Sequence, residues 1–517
     1  MKKKIFSAYD IIFIISVIAV FIYAVFIPPV HSVADQGDFE RVMRPCGLDF
    51  PSDYFFYDYA VRFFNMKFTS VDLLLYVPRL LFLVPTTTFI FPTATARLIC
   101  LPFGAFDMRI LAVMMFLWYA TVCFFIQRKF KIENKFLHYI FLLFFIVVFF
   151  NGVNLTILNS LYGQSVMLVS FATVVLFGLY MFENVHDAKN SVIIFFTVSS
   201  CLLLGSKLQC AVFTPFLIIA VLYVGFKSNK RNLCIVCSIV LVWHGVGGYV
   251  INGGQLNLDT QYNSVFYGIL KDSPNPKQDL IDMGLDEDMA ADSGKHAYLD
   301  KSEYKYPPRS DIMNEKFHSK MSNGKLIKFY ITHPLRLVSV METTAQNAFT
   351  NKINLGTFEK KYGYAPNTSS YRFDLWENIR EHLPKTLFFI IPSYAVFLLI
   401  GIVMLKKKNR YAVPFIFVIL MGLIQFPMPY IGNGAADISK QLFLFNISFD
   451  FGLTVLIYML FKTVSKKYRK KFQKIVDKPY FPCYNNKAVK KCGSGSVVER
   501  HLAKVNVASS NLVFRSI

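Results

Sequence analysis

The chain has 517 residues, of which 54% are hydrophobic, only 17% are charged and 54 are phenylalanine. A water-soluble protein of this length does not have enough charged surface to cover so much apolar material. These proportions exclude a soluble enzyme, a disordered scaffold and a secreted disulfide-rich protein, and they predict an all-α polytopic membrane protein.

The formal net charge of +22 does not indicate nucleic-acid binding. Residues 462–517 alone contain 14 Lys and Arg against 2 Asp and Glu. Basic residues that flank spanning helices normally mark the cytoplasmic side of a membrane protein. We therefore expect the lipid bilayer, and no nucleic acid, to be the partner of these charges.

Apolar runs of membrane-spanning length recur along the chain. About ten spans are predicted, at residues 9–30, 107–126, 137–151, 164–181, 191–206, 209–226, 233–250, 386–405, 411–429 and 441–461. The first run is too long for the apolar region of a signal peptide and has no small-residue cleavage site. We expect it to be retained as the first span.

Lys and Arg are concentrated in alternate connections, which predicts that both termini are cytoplasmic. The predicted inner loops 127–136, 227–232 and 406–410 are clearly basic, whereas 182–190 is an exception. The long connection 251–385 balances 17 Lys and Arg against 17 Asp and Glu. This pattern fits a multi-pass protein of the cell membrane with an even number of spans.

Two connections, both predicted to be extracytoplasmic, are too long to be simple turns. The first, 31–106, is rich in aromatic and acidic residues, and its stretch 54–67 is predicted to form a helix along the membrane surface. Part of it, 71–104, is expected to dip into the membrane. The second, 251–385, has the size of a small domain.

The predicted organisation has five parts. They are an N-terminal transmembrane module at 1–250 that includes the loop 31–106, a loop domain at 251–385, C-terminal transmembrane helices at 386–462, a basic cytoplasmic tail at 463–492 and a final segment at 493–517. The final segment resembles a translated tRNA gene, because its codons can contain the TTCGAAT loop of a tRNA T-arm. The alternative interpretation is a basic recognition tail.

Asp35 and Asp38 follow the first predicted span, with Gly37 between them. Carboxylates at this position lie where lipid headgroups meet water, and the glycine permits a tight turn that directs both to one point. The alternative is a solvated loop in which Asp38 caps a helix that starts at Phe39.

Three other polar clusters are predicted on the same side of the membrane. Lys207 lies between two apolar runs, where a charge usually has a partner or a ligand, unless it snorkels to the interface. Residues 159–164 precede the fourth predicted span, and residues 433–440 precede the last one. Four clusters on one face predict a single outward-facing site.

The residue types in these clusters favour one kind of chemistry. A carboxylate at the outer interface can act as general base toward an acceptor hydroxyl, and a nearby Lys or Arg can hold a phosphate leaving group. The chain has no P-loop or dinucleotide-binding glycine pattern, and no nucleotide is expected outside the cell. A sugar linked to a lipid phosphate is the activated donor that fits.

The acidic pair, the segment 159–164 and Lys207 resemble membrane glycosyltransferases of the GT-C fold. The segments 262–285 and 440–450 are similar to hexose transferases of bacterial glycan biosynthesis, the WsfD-like group. The resemblance implies a GT-C-like architecture and inverting transfer of a hexose. The implied donor is a polyprenyl-phosphate sugar, and the implied acceptor is a cell-surface glycan or a lipid-linked molecule.

The same resemblance, which covers about residues 5–465, implies that an acid of the first outer loop is the catalytic base. Asp38 is the best match and Asp35 is the second candidate. From their charge, Lys207 and Arg41 are expected to bind the donor phosphate. The expected substrate-binding residues are Tyr162, Gln164, Asp437 and Lys440. Relatives tend to carry glutamate at the position of Gln164, which implies weakened or altered activity if that acid is essential.

No cofactor is predicted, and the sequence leaves a requirement for a divalent metal open. Cys234 and Cys237 have CxxC spacing without a second pair, so we expect no metal site there. A lipid-linked glycan flippase or transporter is an alternative, but it predicts inverted repeats around a midplane site, which the sequence does not show. A glycan polymerase or ligase would share the outward-facing site, and the sequence does not separate it from a transferase.

Overall fold

The computed structural model describes residues 6–51, 57–61, 66–69 and 84–476. The chain divides into two compact units, Met1–Phe461 and Lys462–Ile517. In the second unit the described residues, 462–476, are helical. Most of the predicted basic tail and all of the predicted tRNA-like segment lie outside the described residues.

Seven helices in the described part of the chain are long and apolar enough to cross a membrane. They are Ala8–Phe26, Met108–Gln127, Gly163–Glu183, Leu208–Lys227, Arg231–Gly254, Leu387–Lys406 and Phe443–Arg469. Four shorter apolar helices accompany them: Ile90–Phe103, Lys135–Phe149, Asn190–Leu204 and Ala412–Gln425. The prediction of an all-α polytopic membrane protein is confirmed.

All ten predicted spans coincide with apolar helices, seven of them with the long ones. The predicted spans 137–151, 191–206 and 411–429 coincide with helices of 14 or 15 residues, which are shorter than a straight crossing of the hydrocarbon core requires. The additional helix Ile90–Phe103 lies inside the predicted loop 31–106. That loop therefore contains an apolar helix in the segment expected to dip into the membrane.

The predicted surface helix over 54–67 is wrong where the structure describes it. Residues 57–59 form a turn, and Lys67 begins a short strand. The strand Lys67–Phe68 pairs antiparallel with Leu48–Asp49. Aromatic residues favour extended backbone as readily as a helix, so composition alone did not distinguish the two. The rest of the predicted helix lies outside the described residues.

The loop domain (251–385) is built from short helices. Helical backbone continues from the preceding span to Ser264, with a break at Gly254, and ends in a π-turn, Val265–Ile269. The longer helices that follow are Pro276–Asp282, Asn323–Thr332, Pro334–Gln346 and Leu375–Glu381. Short helical turns complete it at Glu287–Asp292, Lys301–Glu303, Asp311–Met313, Asn314–His318 and Lys360–Tyr362.

The helix Gly163–Glu183 is the most enclosed of the long helices, since 89% of its apolar stretch is buried. It packs against Asn190–Leu204 and Met108–Gln127. An apolar surface on all sides suits a helix at the centre of a bundle. Its N-terminal end is therefore held from several directions, and this end carries two of the predicted substrate-binding residues.

A buried ion cluster fastens the loop domain to the last span. Arg380 donates to Asp450 and to Glu377, each at 2.5 Å, and all three side chains are fully buried. One turn before Asp450, the amide group of Asn446 hydrogen-bonds the backbone of residues 349–350. Buried charges are tolerated only when they are paired in this way. The cluster fixes the loop domain relative to the spans.

Candidate functional site

Asp38 and Lys440 form an ion pair although 402 residues separate them in sequence. The Lys440 ammonium contacts Oδ2 of Asp38, and the Arg41 guanidinium lies 3.5 Å from Oδ1. The side chain of Asp38 is 17% exposed and that of Lys440 is 9% exposed. The pair is therefore enclosed on most sides and still reachable from solvent.

The surrounding cations decide the ionisation of Asp38. Burial disfavours its charged form, but Lys440, Lys207 and Arg41 more than compensate and hold the pKa of the carboxyl well below its usual range. Asp38 is thus a carboxylate at every physiological pH. Three cations around it leave an excess of positive charge, which attracts anions.

Asp35 builds the turn that directs Asp38. Its side chain is fully buried, and Oδ1 accepts hydrogen bonds from the amides of Gly37 at 2.8 Å and Phe39 at 3.1 Å. Gly37 has φ +100°, a conformation that glycine adopts without strain. The residue that binds the Phe39 amide is Asp35 and not Asp38, so the alternative in which Asp38 caps this helix is wrong. That Asp35 is the second candidate for the catalytic base stays a prediction.

Lys207 lies at the junction between the helices Asn190–Leu204 and Leu208–Lys227, half-buried against Gly163. A Cβ added to Gly163 would lie only 3.2 Å from Cγ of Lys207. Among the residues that the structure describes, no hydrogen-bond or ion-pair partner faces its ammonium. A half-buried cation without a direct partner is only partly solvated, so binding of an anion there would be favourable.

The pKa of Lys207 reflects the same environment. Burial lowers it to about 8, the positive charges of Lys440 and Arg41 act in the same direction, and Asp38 opposes them. Lys207 is therefore mostly protonated at pH 7, and it is mostly neutral once the pH exceeds about 8.

Tyr162 and Gln164 both contact Lys440, the basic member of the ion pair. The Tyr162 hydroxyl donates to the carbonyl of Ala34 at 2.7 Å, and its ring lies 4.5 Å from the Lys440 ammonium. Gln164 Nε2 donates to the carbonyl of Lys440 at 3.3 Å. Both side chains are fully buried. Both residues contact Lys440, and their expected contact with substrate stays a prediction.

Asp437 completes the charged group at the surface. It is exposed and has φ +53°, and its Oδ2 accepts a hydrogen bond from Gln36 Nε2 at 3.1 Å. The negative charge of Asp437 acts to raise the pKa of Lys207. The structure thus brings five of the predicted residues into one charged cluster: Asp38, Arg41, Lys207, Asp437 and Lys440.

Gln209 and Gln425, which were not among the predicted site residues, form a hydrogen-bonded pair next to this cluster. Gln209 Nε2 donates to Oε1 of Gln425 at 3.0 Å and to the carbonyl of Gln441 at 3.1 Å. Gln425 Nε2 in turn donates to the carbonyl of Gln209 at 3.2 Å. The pair links the segment after Lys207 to the segment after Lys440. A polar residue inside the apolar run 411–429 was the available signal.

A crevice opens beside Lys207. Its walls come from residues 84–88, from the end of the helix Asn190–Leu204 with the residues that follow it, and from residues 244–252 of the helix Arg231–Gly254. His244, Tyr249 and Asn252 provide polar groups, and Gly245 and Gly248 provide space. Apolar side chains complete the lining: Val84, Leu204, Leu208 and Ala211. The crevice therefore combines apolar walls with a few polar groups, among them Lys207.

No group of three or more His, Cys, Asp or Glu side chains arranged to hold a metal ion occurs within the described residues. Cys234 and Cys237 are buried free thiols in the helix Arg231–Val242. They belong to the packing of that helix against its neighbours.

Comparison with known proteins gives one family. The model of the YfdI N-terminal transmembrane domain matches residues 1–478, which includes the whole charged cluster. No curated protein and no solved structure matches the chain significantly. With a match over nearly its whole length, the chain belongs to the YfdI N-terminal transmembrane domain family.

Proposed function

We propose that this protein is an integral-membrane hexosyltransferase that uses a polyprenyl-phosphate-linked sugar as donor. The acceptor is a cell-surface glycan or a lipid-linked molecule, and transfer takes place on the extracytoplasmic face. YfdI is a membrane glycosyltransferase-like protein, which is consistent with this reaction class. The observation that carries the proposal is the half-buried ammonium of Lys207, which has no direct partner among the described residues and lines a crevice.

Lys207 is suited to hold the donor phosphate. A phosphate oxygen would give its ammonium the partner that it otherwise lacks, and Arg41 adds a planar guanidinium that is 46% exposed. The phosphodiester of such a donor carries a single negative charge, which the excess positive charge of the cluster would balance.

The crevice is suited to the lipid part of the donor. Its apolar lining residues Val84, Leu204, Leu208 and Ala211 would contact an isoprenoid chain, while Lys207 would contact the phosphate. This arrangement follows the usual form of a ligand site, in which apolar walls carry a few convergent polar groups.

Asp38 is suited to accept the proton of the acceptor hydroxyl. In the transfer, the acceptor oxygen would form a bond to the anomeric carbon while the bond from that carbon to the phosphate oxygen breaks. The proton would pass to Asp38, and the polyprenyl phosphate would leave with the bonding electrons, its charge held by Lys207. Attack from the face opposite the phosphate inverts the anomeric centre.

The expected orientation places both termini in the cytoplasm, with the loop domain and the charged cluster outside. The basic connections 127–136, 227–232 and 406–410 support it. Lipid-phosphate sugars are the activated donors that do not require a nucleotide at this face.

The test uses the full-length protein purified in detergent. Polyprenyl-phosphate hexoses are supplied singly, with a cell-envelope lipid extract as acceptor, and release of polyprenyl phosphate is measured. We expect acceptor-dependent release with one hexose and loss of release in Asp38→Asn. Absence of release with every hexose, from protein that unfolds cooperatively, would contradict the proposal.

A further inference from the structure

Three aromatic rings form a continuous surface in the loop domain. The ring centroids of Tyr267 and His296 lie 5.5 Å apart, and those of His296 and Tyr298 lie 6.0 Å apart. Tyr298 is 56% exposed, so the face of its ring is open to solvent. We call these three residues the aromatic surface.

The aromatic surface is held rigidly to the segment that carries Asp437. Asn263 Oδ1 accepts from the amide of Ala297 at 2.7 Å, and Asn263 Nδ2 donates to Oδ1 of Asn433 at 2.9 Å. Both asparagine side chains are buried. The backbone between His296 and Tyr298 is thus fixed, through one amide group, to the residues just before Asp437.

A close backbone contact reinforces this attachment. Gly434 has φ +58°, and a Cβ at this position would lie 2.2 Å from the carbonyl oxygen of Asn263. The amide of Ala435 donates to the carbonyl of Tyr267 at 3.0 Å. Only glycine permits both the approach and the backbone conformation at residue 434. The two segments therefore form a built surface and not a loose loop.

Charged groups flank the exposed ring of Tyr298. Its hydroxyl lies within electrostatic range of Asp259, Arg41, Asp437 and Arg309. Arg309 makes a two-pronged ion pair with Asp259, at 3.0 and 2.6 Å. An apolar ring face bordered by carboxylates and guanidinium groups offers contacts for both the C–H face and the hydroxyls of a sugar ring.

Arg41 and Asp437 connect this surface to the charged cluster, because both act electrostatically on Lys207 as well as on Tyr298. In the proposed function, the crevice and Lys207 bind the lipid and phosphate of the donor. The aromatic surface takes no part in that binding and lies near Arg41 and Asp437, so it is available to the second substrate.

We infer that the aromatic surface of Tyr267, His296 and Tyr298 is the subsite for the pyranose ring of the acceptor, with the ring stacked on Tyr298 and its hydroxyls bound by Asp437. The inference rests on the proposed function, because it assigns the second substrate of that reaction.

The experiment measures saccharide binding without turnover. Saturation-transfer NMR is recorded on the purified full-length protein with methyl hexopyranosides as probes, for wild type, Tyr298→Ala, Tyr298→Phe and Tyr364→Ala. Tyr364 is the matched control, since it is a 42% exposed tyrosine of the same loop domain. We expect the dissociation constant to rise about tenfold in Tyr298→Ala and to change by less than about threefold in Tyr298→Phe and Tyr364→Ala.

Two results would overturn the inference: wild-type protein that binds no hexopyranoside, or binding that Tyr298→Ala leaves unchanged. Binding that depends on Tyr298 in a protein without transfer activity would sustain the subsite and refute the proposed reaction. Transfer kinetics give a second readout, because Tyr298→Ala should raise KM for the acceptor and leave KM for the donor unchanged.

Discussion

The ion pair between Lys440 and Asp38 couples the basicity of one residue to the position of the other. While the Lys440 ammonium rests on the carboxylate, the depressed pKa of Asp38 makes it a weak proton acceptor. A donor phosphate that attracts Lys440 would release Asp38 as a stronger base. On the proposed mechanism, donor binding therefore prepares the site for the acceptor.

Asp38→Asn should reduce transfer by about 10²–10⁴-fold, because the acceptor hydroxyl loses its base. Donor affinity should be retained, as measured by equilibrium binding to the purified variant. The matched control is Asp35→Asn, whose amide oxygen can still accept from the amides of Gly37 and Phe39. A variant Asp35→Asn without activity, beside an active Asp38→Asn, would move the base to Asp35.

Donor affinity should fall as the pH rises through about 8, where Lys207 loses its proton. Lys207→Arg should remain charged and bind donor without this dependence, whereas Lys207→Met should bind weakly at every pH. The stability of the protein should change with pH in the opposite direction, because folding lowers the pKa of Lys207. Between about pH 8 and about pH 10.4 the unfolded chain binds more protons than the folded protein, so the free energy of unfolding should rise with pH in this range.

Gly163→Ala should weaken donor binding by about tenfold, equivalent to about 1.4 kcal/mol. The added Cβ would lie 3.1 Å from the carbonyl oxygen of Ser206 and 3.2 Å from Cγ of Lys207, so the lysine must shift. Gly178→Ala in the same helix is the control, since its Cβ meets Phe196 at an ordinary 3.6 Å. Equal donor affinities in the two variants would show that the position of Lys207 does not matter for binding.

Arg380→Met should destabilise the protein by about 3–5 kcal/mol, because it leaves the buried carboxylates of Glu377 and Asp450 without their partner. The comparison is Arg410→Met, which removes an ion pair to Glu183 from an arginine that is 56% exposed and should cost less than about 1 kcal/mol. Thermal unfolding in one detergent measures both. A small effect of Arg380→Met would mean that the ion cluster does not secure the loop domain.

Cysteine labelling tests the orientation. A cysteine at Asp300, which is exposed in the loop domain, should react with a membrane-impermeant thiol reagent added to intact cells. A cysteine at Lys407, exposed in the basic connection 406–410, should react only after the membrane is permeabilised. The reverse pattern would place the charged cluster on the cytoplasmic side.

Apolar runs were sufficient to predict the apolar helices at the ten expected spans, and polar breaks between them contained the five members of the charged cluster. The short helices of the loop domain were not predicted. Lys207 and Asp38 were recognisable because charged residues beside spanning helices are rare and usually have a function. Their detailed roles were not predictable. Whether Asp35 or Asp38 faces the site depends on the turn at Gly37, and sequence spacing does not specify the direction of either side chain.

Contacts between distant segments were also beyond prediction. Tyr298 lies in a charge-balanced loop without a motif, and its relation to Asp437 depends on the hydrogen bond between Asn263 and Asn433. Without an alignment, a pairing across 170 residues leaves no signal in a single sequence. The hydrogen bonds between Gln209 and Gln425 were unpredictable for the same reason.

The buried partners of Arg380 impose an order on biosynthesis. Arg380 and Glu377 leave the ribosome before the last three apolar helices, but Asp450 belongs to the final one. Until that helix is inserted, the loop domain holds a guanidinium group whose second carboxylate is missing. A nascent chain interrupted before residue 443 therefore carries an Arg380 charge that only the finished protein neutralises and buries.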